Sequence, residues 1–398
     1  MLSVAEALSI VVDQALALPA VAAPLAAETL GLILAEDIVS DLDMPPFDKA
    51  MMDGFAVRTS DLREGQGELT IVEEIMAGKT PTVAVQANQA ARIMTGAPIP
   101  QGVDAVVMVE RCVASGNRVQ VNDPRVKPGQ HILGKAREMR LGEVVLRAGA
   151  RLRPQEFGLL STVGRMGVKV QPRPSVAILS TGDEIVEPAL KPGPGQIRNS
   201  NGPMLVGQVV RAGGVPQFLG IARDEPGDLR AKIAAGLEAD VLLLSGGVSA
   251  GKLDLVPGVL AALGVEALFH KVTMKPGKPL LFGVKGGRLV FGLPGNPVST
   301  LVCFELFVRP VLRRLMGLDA GPHWLQATLT KDYAYRTDRP TYHPATLQAS
   351  DAGWTVEAVP WFGSPDLRGL LSANALVLFP EGDHQHRAGQ SLAVLRME

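Results

Sequence analysis

The sequence predicts a multidomain protein of α/β and β class. It has a central doubly wound, mostly parallel α/β domain with a helical layer, a β-rich inserted domain and a small, β-barrel-like C-terminal domain. Three observations lead there. From Pro172 to Gly317 strand-like and helix-like patterns alternate regularly, the mark of a parallel sheet with helices on both faces. Helical patterns before residue 43 resume after residue 138, across a run of short strands and turns, as an insertion would give. Residues 320–398 return to short strands and turns. The expected domains are residues 1–42 with 139–171 (a discontinuous helical and linker domain), 43–138, 172–319 and 320–398. A chain of 398 residues, 46% of them hydrophobic, has material for about two to four cores.

Each element has a local reason. Val4, Ala7, Leu8, Val11, Val12, Ala15 and Leu16 fall on one face at helical spacing. Ser3 and Glu6 form a capping box, and the helical reading extends over the first forty residues. No Lys or Arg precedes Lys49, and Glu6 and Asp13 interrupt the apolar run, so a secretory signal is not expected. No stretch has the uninterrupted apolar length of a membrane span. Pro45-Pro46 breaks any helix. "ELTIVEEIMAG", "AARIMTG" and "DAVVMVERCVASGNRVQV" read as strands, with a hairpin turn at Ser115-Gly116-Asn117. "RPQEFGLLSTVG" is helical. Beyond it, the strands "SVAILST", "QFLGIA" and "DVLLLSGG" alternate with the helices "GPMLVGQVVRAG", "GDLRAKIAAGLEA" and "LVPGVLAALG". "VEALFHKVTM", "GRLVFGLPG" and a long helix from Pro297 follow.

Charge excludes whole classes of function. There are 39 basic and 40 acidic residues, a net charge of −1. That gives no surface for nucleic acid or an anionic membrane, and an anionic ligand needs a local cluster. Cys112 and Cys303 lack pair spacing, so neither a disulfide framework nor a zinc site is expected. A cytoplasmic setting fits.

Four loops fall at the carboxyl ends of the central strands, where ligands bind in such folds. "STGDE" carries Thr181, Gly182 and Glu184. "SGGVSAGKLD" carries Ser245, Gly246, Gly247, Ser249 and Asp254. "KVTMKPGKP" carries Lys275 and Lys278. "GLPGNPVS" carries Pro294, Asn296, Pro297 and Ser299. Consecutive glycines bring backbone N–H groups close to an oxyanion, lysines add charge, and Glu184 and Asp254 suit a hard cation such as Mg²⁺. Each motif also has a duller reading: Gly-Gly as a tight turn, the lysines as solvated charge, Asp254 as a helix cap. Gly246 with Gly251-Lys252 has Walker A spacing, but Leu253 stands where the magnesium-binding hydroxyl belongs. A second glycine adjoins the first, and no Walker B strand ending in Asp follows, so a P-loop is rejected.

With these loops in view, the chain resembles the molybdopterin molybdenumtransferase family of MoeA type, which includes the E domain of gephyrin. "SGGVSAGKLD", "KPGKP", "LPGNPVS" and "STGDE" carry the resemblance, as do "MPPFDKAMMDGFAVR", "RIMTGAPIP", "IRNSNGPML" and "ANALVLFPEG". The resemblance implies Mg²⁺-dependent insertion of molybdenum from molybdate into adenylylated molybdopterin, with release of AMP, by a homodimer with a shared site. It implies catalytic roles for Asp53, Glu184, Asp224 and Asp254, with Glu184 and Asp254 holding the metal. It implies substrate contacts from Thr95, Lys275, Lys278, Pro294 and Pro297, and, near the molybdate, from Arg339 and Ser364.

The chain departs from the family in places. Lys252 stands where an acid is usual, and Glu225 where a second Asp is. The "NIRxxGED" segment survives only in outline as His131, Ile132, Leu133, then Ala136, Arg137 and Glu138. His343 replaces a common Arg. These losses leave open a degenerate paralogue that binds molybdopterin or its metallated form as a carrier or scaffold. The related single-domain adenylyltransferase lacks the inserted segment, and a gephyrin-like scaffold role uses a fused partner domain and linker. Molybdate and tungstate are not separated by any residue type. One substitution separates the two readings of Asp254. Asp254→Ser keeps a capping oxygen and removes the carboxylate, whereas loss of a cap costs about 0.5–2 kcal/mol. A folded Asp254→Ser chain with normal melting is expected to lose most metal-insertion activity; full activity would make the acid structural.

Overall fold

The computed structural model describes residues 1–248, 255–351 and 353–397. Two compact units emerge, one of residues 22–169 and one of residues 1–21 with 170–398.

In the first of these, a six-stranded sheet runs in the order 105–108, 54–57, 89–93, 66–75, 118–122, 112–115. Only the 66–75 and 89–93 pair is parallel. Phe55, Val57, Leu69, Val107 and Val119 form a core on one face, and Ala56, Ile75, Ile93 and Val106 on the other. The expected hairpin is present: Ser115 pairs with Arg118, and Gly116 takes a φ of +58° in the turn between them. The helix expected near 153–164 spans Pro154–Thr162.

The helical reading of the first forty residues is corrected. Helix α1 covers only Val4–Asp13, closed by the reciprocal Ser3–Glu6 capping box. Short strands follow at Val21–Pro24, Ile33–Leu34 and Ile38–Val39. Pro19 and Pro24 lack the N–H that a continuing helix would use.

In the other unit the central strands are β1 (Ser175–Thr181), β2 (Val215–Ala222), β3 (Val241–Ser245), β4 (Glu266–Phe269), β5 (Leu281–Lys285) and β6 (Arg288–Leu293). Their order in the sheet is β2-β1-β3-β6-β5-β4. The first four in that order are parallel neighbours, and β5 and β4 close the sheet as antiparallel strands. Strand β5 has no counterpart in the sequence reading; its short "LFGVK" lies directly against the turn into β6. Period-two alternation sends Val176, Ile178, Val241 and Leu243 to one face, with Leu205 and Val209 of α2 (Asn201–Arg211) and Ala7 and Val11 of α1. Ala177, Leu179, Leu242 and Leu244 go to the other, with Leu229 and Ile233 of α3 (Pro226–Gly236) and Val256 and Leu260 of α4 (Val256–Ala262). These near-continuous apolar runs are what a strand buried on both faces requires. The chain leaves β1 for β2 on one side and returns for β3 on the other, so the order reverses between β1 and β3. The long helix is α-helical over Pro297–Cys303 (α5), widens to a π segment over Phe304–Val308 and resumes as α6 at Arg309–Leu315. Pro310, which cannot donate a backbone bond, follows the widened turn. Within this stretch the buried Glu305 is held by Arg211, Arg309 and Gln208.

Residues 324–329, 353–358, 341–350, 375–379 and 391–396 close a five-stranded barrel, filled by Ala327, Leu347, Val356, Val377, Phe379 and Val394. No helix among the described residues is long and apolar enough to cross a membrane.

One departure from the family has a visible backbone consequence. Ala136, which stands where the resembled "NIRxxGED" pattern has its glycine, is held at a φ of +58°, with its N–H donated to the Pro45 carbonyl. Left-handed backbone costs an L-residue about 1–2 kcal/mol, partly offset by the greater unfolded-state freedom of glycine. Ala136→Gly is therefore expected to raise stability by about 1 kcal/mol, read as a higher midpoint of urea unfolding with an unchanged slope.

Candidate functional site

At the reversal point, the ends of β1 and β3 come together at glycine positions. Gly246 has a φ of +93°, and a Cβ there would lie 2.4 Å from the Thr181 carbonyl oxygen. Gly247 has a φ of +63°, and a Cβ there would lie 2.7 Å from Thr181 Oγ1. Both the dihedrals and the space demand glycine. Thr181 is buried, and its Oγ1 has no hydrogen-bond partner among the described residues.

Asn201 fixes the distance from this turn to the next loop. Its Nδ2 donates to Ser245 Oγ at 2.8 Å and to the Gly295 carbonyl at 2.7 Å. Asn199 Oδ1 accepts from Ser180 Oγ and from the Gly202 N–H. Sequence reasoning missed both asparagines as site-building residues. Their signal was the "RNSN" stretch at the start of α2, where buried amides between strand ends must bridge loops.

The loops after β1, β3 and β6 meet the 274–279 segment and the barrel loops in one cleft of about 550 Å³. Of the residues expected from sequence, its lining holds Glu184, Gly246, Lys275, Lys278, Pro294, Asn296, Ser299, Arg339 and Ser364. Lys275 lies over the Tyr335 ring, 5.4 Å from its centroid, and Arg339 Nε donates to Asp338 Oδ1 at 3.0 Å. Gly277 has a φ of +109°, and a Cβ there would sit 2.6 Å from Cys303 Sγ, which fixes the turn between the two lysines. Asn296 Nδ2 donates to Ser364 Oγ at 3.0 Å, and the Val298 N–H to the Ser364 carbonyl at 3.1 Å. The barrel loop is thereby tied to the start of α5.

The remaining expected residues lie elsewhere. Thr181, Gly182, Ser245 and Gly247 do not line the cleft, the first three being buried and Gly247 half-buried, and Pro297 opens α5. The Asp224 N–H donates to Asp183 Oδ1 at 3.2 Å, beside the end of β1 but outside the lining. Ser249, Lys252 and Asp254 lie outside the described residues. Asp53 and Thr95 belong to the 22–169 unit. There Asp53 Oδ1 accepts from both Thr95 Oγ1 and the Thr95 N–H at 2.7 Å, and these bonds, the side-chain one foremost, hold its carboxyl below the usual range. Among the described residues no group of three or more His, Cys, Asp or Glu side chains gathers to hold a metal. Glu184 brings a single carboxylate to the cleft.

His343, the departure from Arg, is buried in the barrel. The Pro344 carbonyl, 2.8 Å from Nδ1, can only accept, so Nδ1 carries the proton and Nε2 accepts from Tyr333 O–H at 2.8 Å. Burial pushes the imidazole pKa down from 6.5 to about 4. The unfolded chain takes up this proton first, so the contribution of His343 to stability is lost as pH falls from 6.5 towards 4.

Residues 2–164 match the MoeA N-terminal region (domain I and II), residues 177–314 the probable molybdopterin binding domain and residues 326–397 the MoeA C-terminal region (domain IV). A molybdopterin molybdenumtransferase of Staphylococcus aureus is 35% identical over 404 aligned residues, covering 99% of this chain and 95% of that protein. The chain belongs to the MoeA family. Its relatives include a molybdopterin molybdenumtransferase of Staphylococcus epidermidis, 34% identical, covering 93% of this chain and 90% of that protein. A molybdopterin biosynthesis MoeA protein from Pyrococcus horikoshii has been solved as a structure 32% identical to this chain. It has a TM-score of 0.81 and covers 100% of both chains. The MoeA fold thus extends through both units and the barrel, and the transferase family accounts for a cleft that concentrates cations in a protein of near-zero net charge.

Lys275 and Lys278 supply that local charge. Changing both to Met is expected to weaken binding of a phosphate-bearing ligand such as AMP and to flatten its salt dependence, since screening then has less attraction to remove. Titrations at low and high salt would measure both; unchanged affinity in the two would show that the lysines are solvated charge only.

Proposed function

We propose that this chain inserts molybdenum, taken from molybdate, into adenylylated molybdopterin with release of AMP, in the last step of molybdenum cofactor synthesis in the cytoplasm. The observation that carries the reading is the convergence of Lys275, Lys278 and Arg339 with a glycine turn and Glu184 in one cleft. Phosphates and a tetrahedral oxyanion call for cations and N–H donors together. The cleft donors fit Mg²⁺ held mainly by substrate phosphates and water, because that ion takes only one or two protein carboxylates in such sites. Glu184 would be one and Asp254 the second; the ion would neutralise phosphate charge as AMP departs. The substrate-binding residues anticipated from the sequence keep those roles in this proposal, including the buried Thr181 and Ser245.

The active form is proposed to be a homodimer in which Asp53 and Thr95 of one subunit complete the cleft of the other. The exposed apolar side chains Met51 and Met52, which immediately precede Asp53 in the chain, support a partner surface there.

Purified protein with adenylylated molybdopterin, Mg²⁺ and molybdate or tungstate is expected to release AMP and yield metal-loaded cofactor, and to stop when EDTA is added. Binding without AMP release would favour the carrier reading. Mixing Asp53→Ala and Asp254→Ala chains by co-refolding is expected to restore part of the activity, because one site of each mixed dimer is intact. Mixed dimers that form and stay inactive would rule out sharing.

A further inference from the structure

Cations account for recognition of phosphate and oxyanion, but the proposed substrate also carries flat heteroaromatic rings. Among the described residues lining the cleft, Trp361 is the single aromatic. It is partly buried, packed against the main core of its unit, with the His343 ring 5.2 Å away at 51°. Behind His343 lie Tyr333 and Phe379, at 5.3 and 5.8 Å. Tyr335 joins this group, 6.1 Å from His343, and holds Lys275 over its ring. An aromatic series therefore leads from a cleft lysine to the cleft tryptophan.

The loop carrying Trp361 is fixed at several points. Asp366 accepts the Phe362 N–H at 3.0 Å and the Gly369 N–H at 3.1 Å, and Ser364 is bonded to Asn296 and Val298. An aromatic ring held this way has little entropy to lose on stacking.

We propose that Trp361 is a stacking platform for a flat heteroaromatic ring of the phosphate-bearing substrate, with the His343 ring as its backing. The inference rests on the function proposed above and deepens it: the cations take the anionic groups, and Trp361 selects for the ring. A guanidinium at position 343 would put a full charge beside the indole. The imidazole leaves it an uncharged, hydrogen-bonded support.

Three probes separate ring from phosphate: AMP, 6-hydroxymethylpterin phosphate and ribose 5-phosphate. Trp361→Ala is expected to weaken at least one ring-bearing probe about tenfold or more and to leave ribose 5-phosphate within about twofold; the weakened probe identifies the ring. Phe362→Ala, at a side chain that is 95% exposed and outside the lining, should bind all three as wild type does. If Trp361→Ala fails to fold, Trp361→Phe serves. It keeps a stacking face, so its affinities should stay within about threefold, but ligand quenching of tryptophan fluorescence should disappear, since Trp324 and Trp354 lie outside the cleft lining. The proposal is overturned if wild type binds neither ring-bearing probe, if Trp361→Ala binds all three probes unchanged or loses all three alike, if Phe362→Ala loses the ring probes equally, or if quenching persists in folded Trp361→Phe. Ring binding that depends on Trp361 without metal insertion would refute the proposed activity and leave the platform standing. Insertion with an unchanged KM in Trp361→Ala would do the reverse.

Discussion

The cleft depends on the approach of Gly246 and Gly247 to Thr181. A Cβ on either glycine would sit 2.4 or 2.7 Å from an atom of that threonine, so any other residue would push the turn after β3 away from the end of β1. That turn is bound in turn to the loop after β6 through Asn201, which donates to Ser245 and Gly295. The barrel loop joins the same arrangement through Asn296 and Ser364. Position passes from the packed sheet to the cleft through a short series of polar contacts, buried between Asn201 and Ser245 and exposed between Asn296 and Ser364, and the inner ones have little room to relax because the strands beneath are buried on both faces.

Much of this was legible in the sequence, and the limits have physical reasons. The alternation of β1, β2 and β3 with helices is a pattern of long apolar runs, and it survives folding because nothing else can bury such runs. The glycine loops are legible for the same reason: few backbones need consecutive glycines. The first forty residues read as helical because Ala and Leu suit a helix wherever tertiary contacts do not decide; in the fold the helix ends at Asp13, and Pro19 and Pro24 beyond it lack the N–H that a continuing helix would use. Strand β5 escaped notice because a five-residue strand beside a tight turn has no periodicity of its own. In the cleft, charged residues and glycines announce themselves, whereas Asn199, Asn201 and Trp361 act through placement that only the fold reveals.

The departures from the family sort by location. Leu133, Ala136 and Arg137 belong to the 22–169 unit, where Ala136 shows its effect as left-handed backbone. Lys252 falls outside the described residues. Glu225 is the N-cap of α3, next to Asp224, and His343 lies behind a described cleft residue, with its ring next to Trp361. If Trp361 serves as the proposed platform, His343 gives a change of ligand preference a direct route into the cleft. That route is aromatic and uncharged, so it bears on the ring of a ligand and not on its phosphate. Lys275, Lys278 and Arg339 remain in the cleft lining, and in the proposed function they carry charge recognition, whereas His343 lies outside that lining.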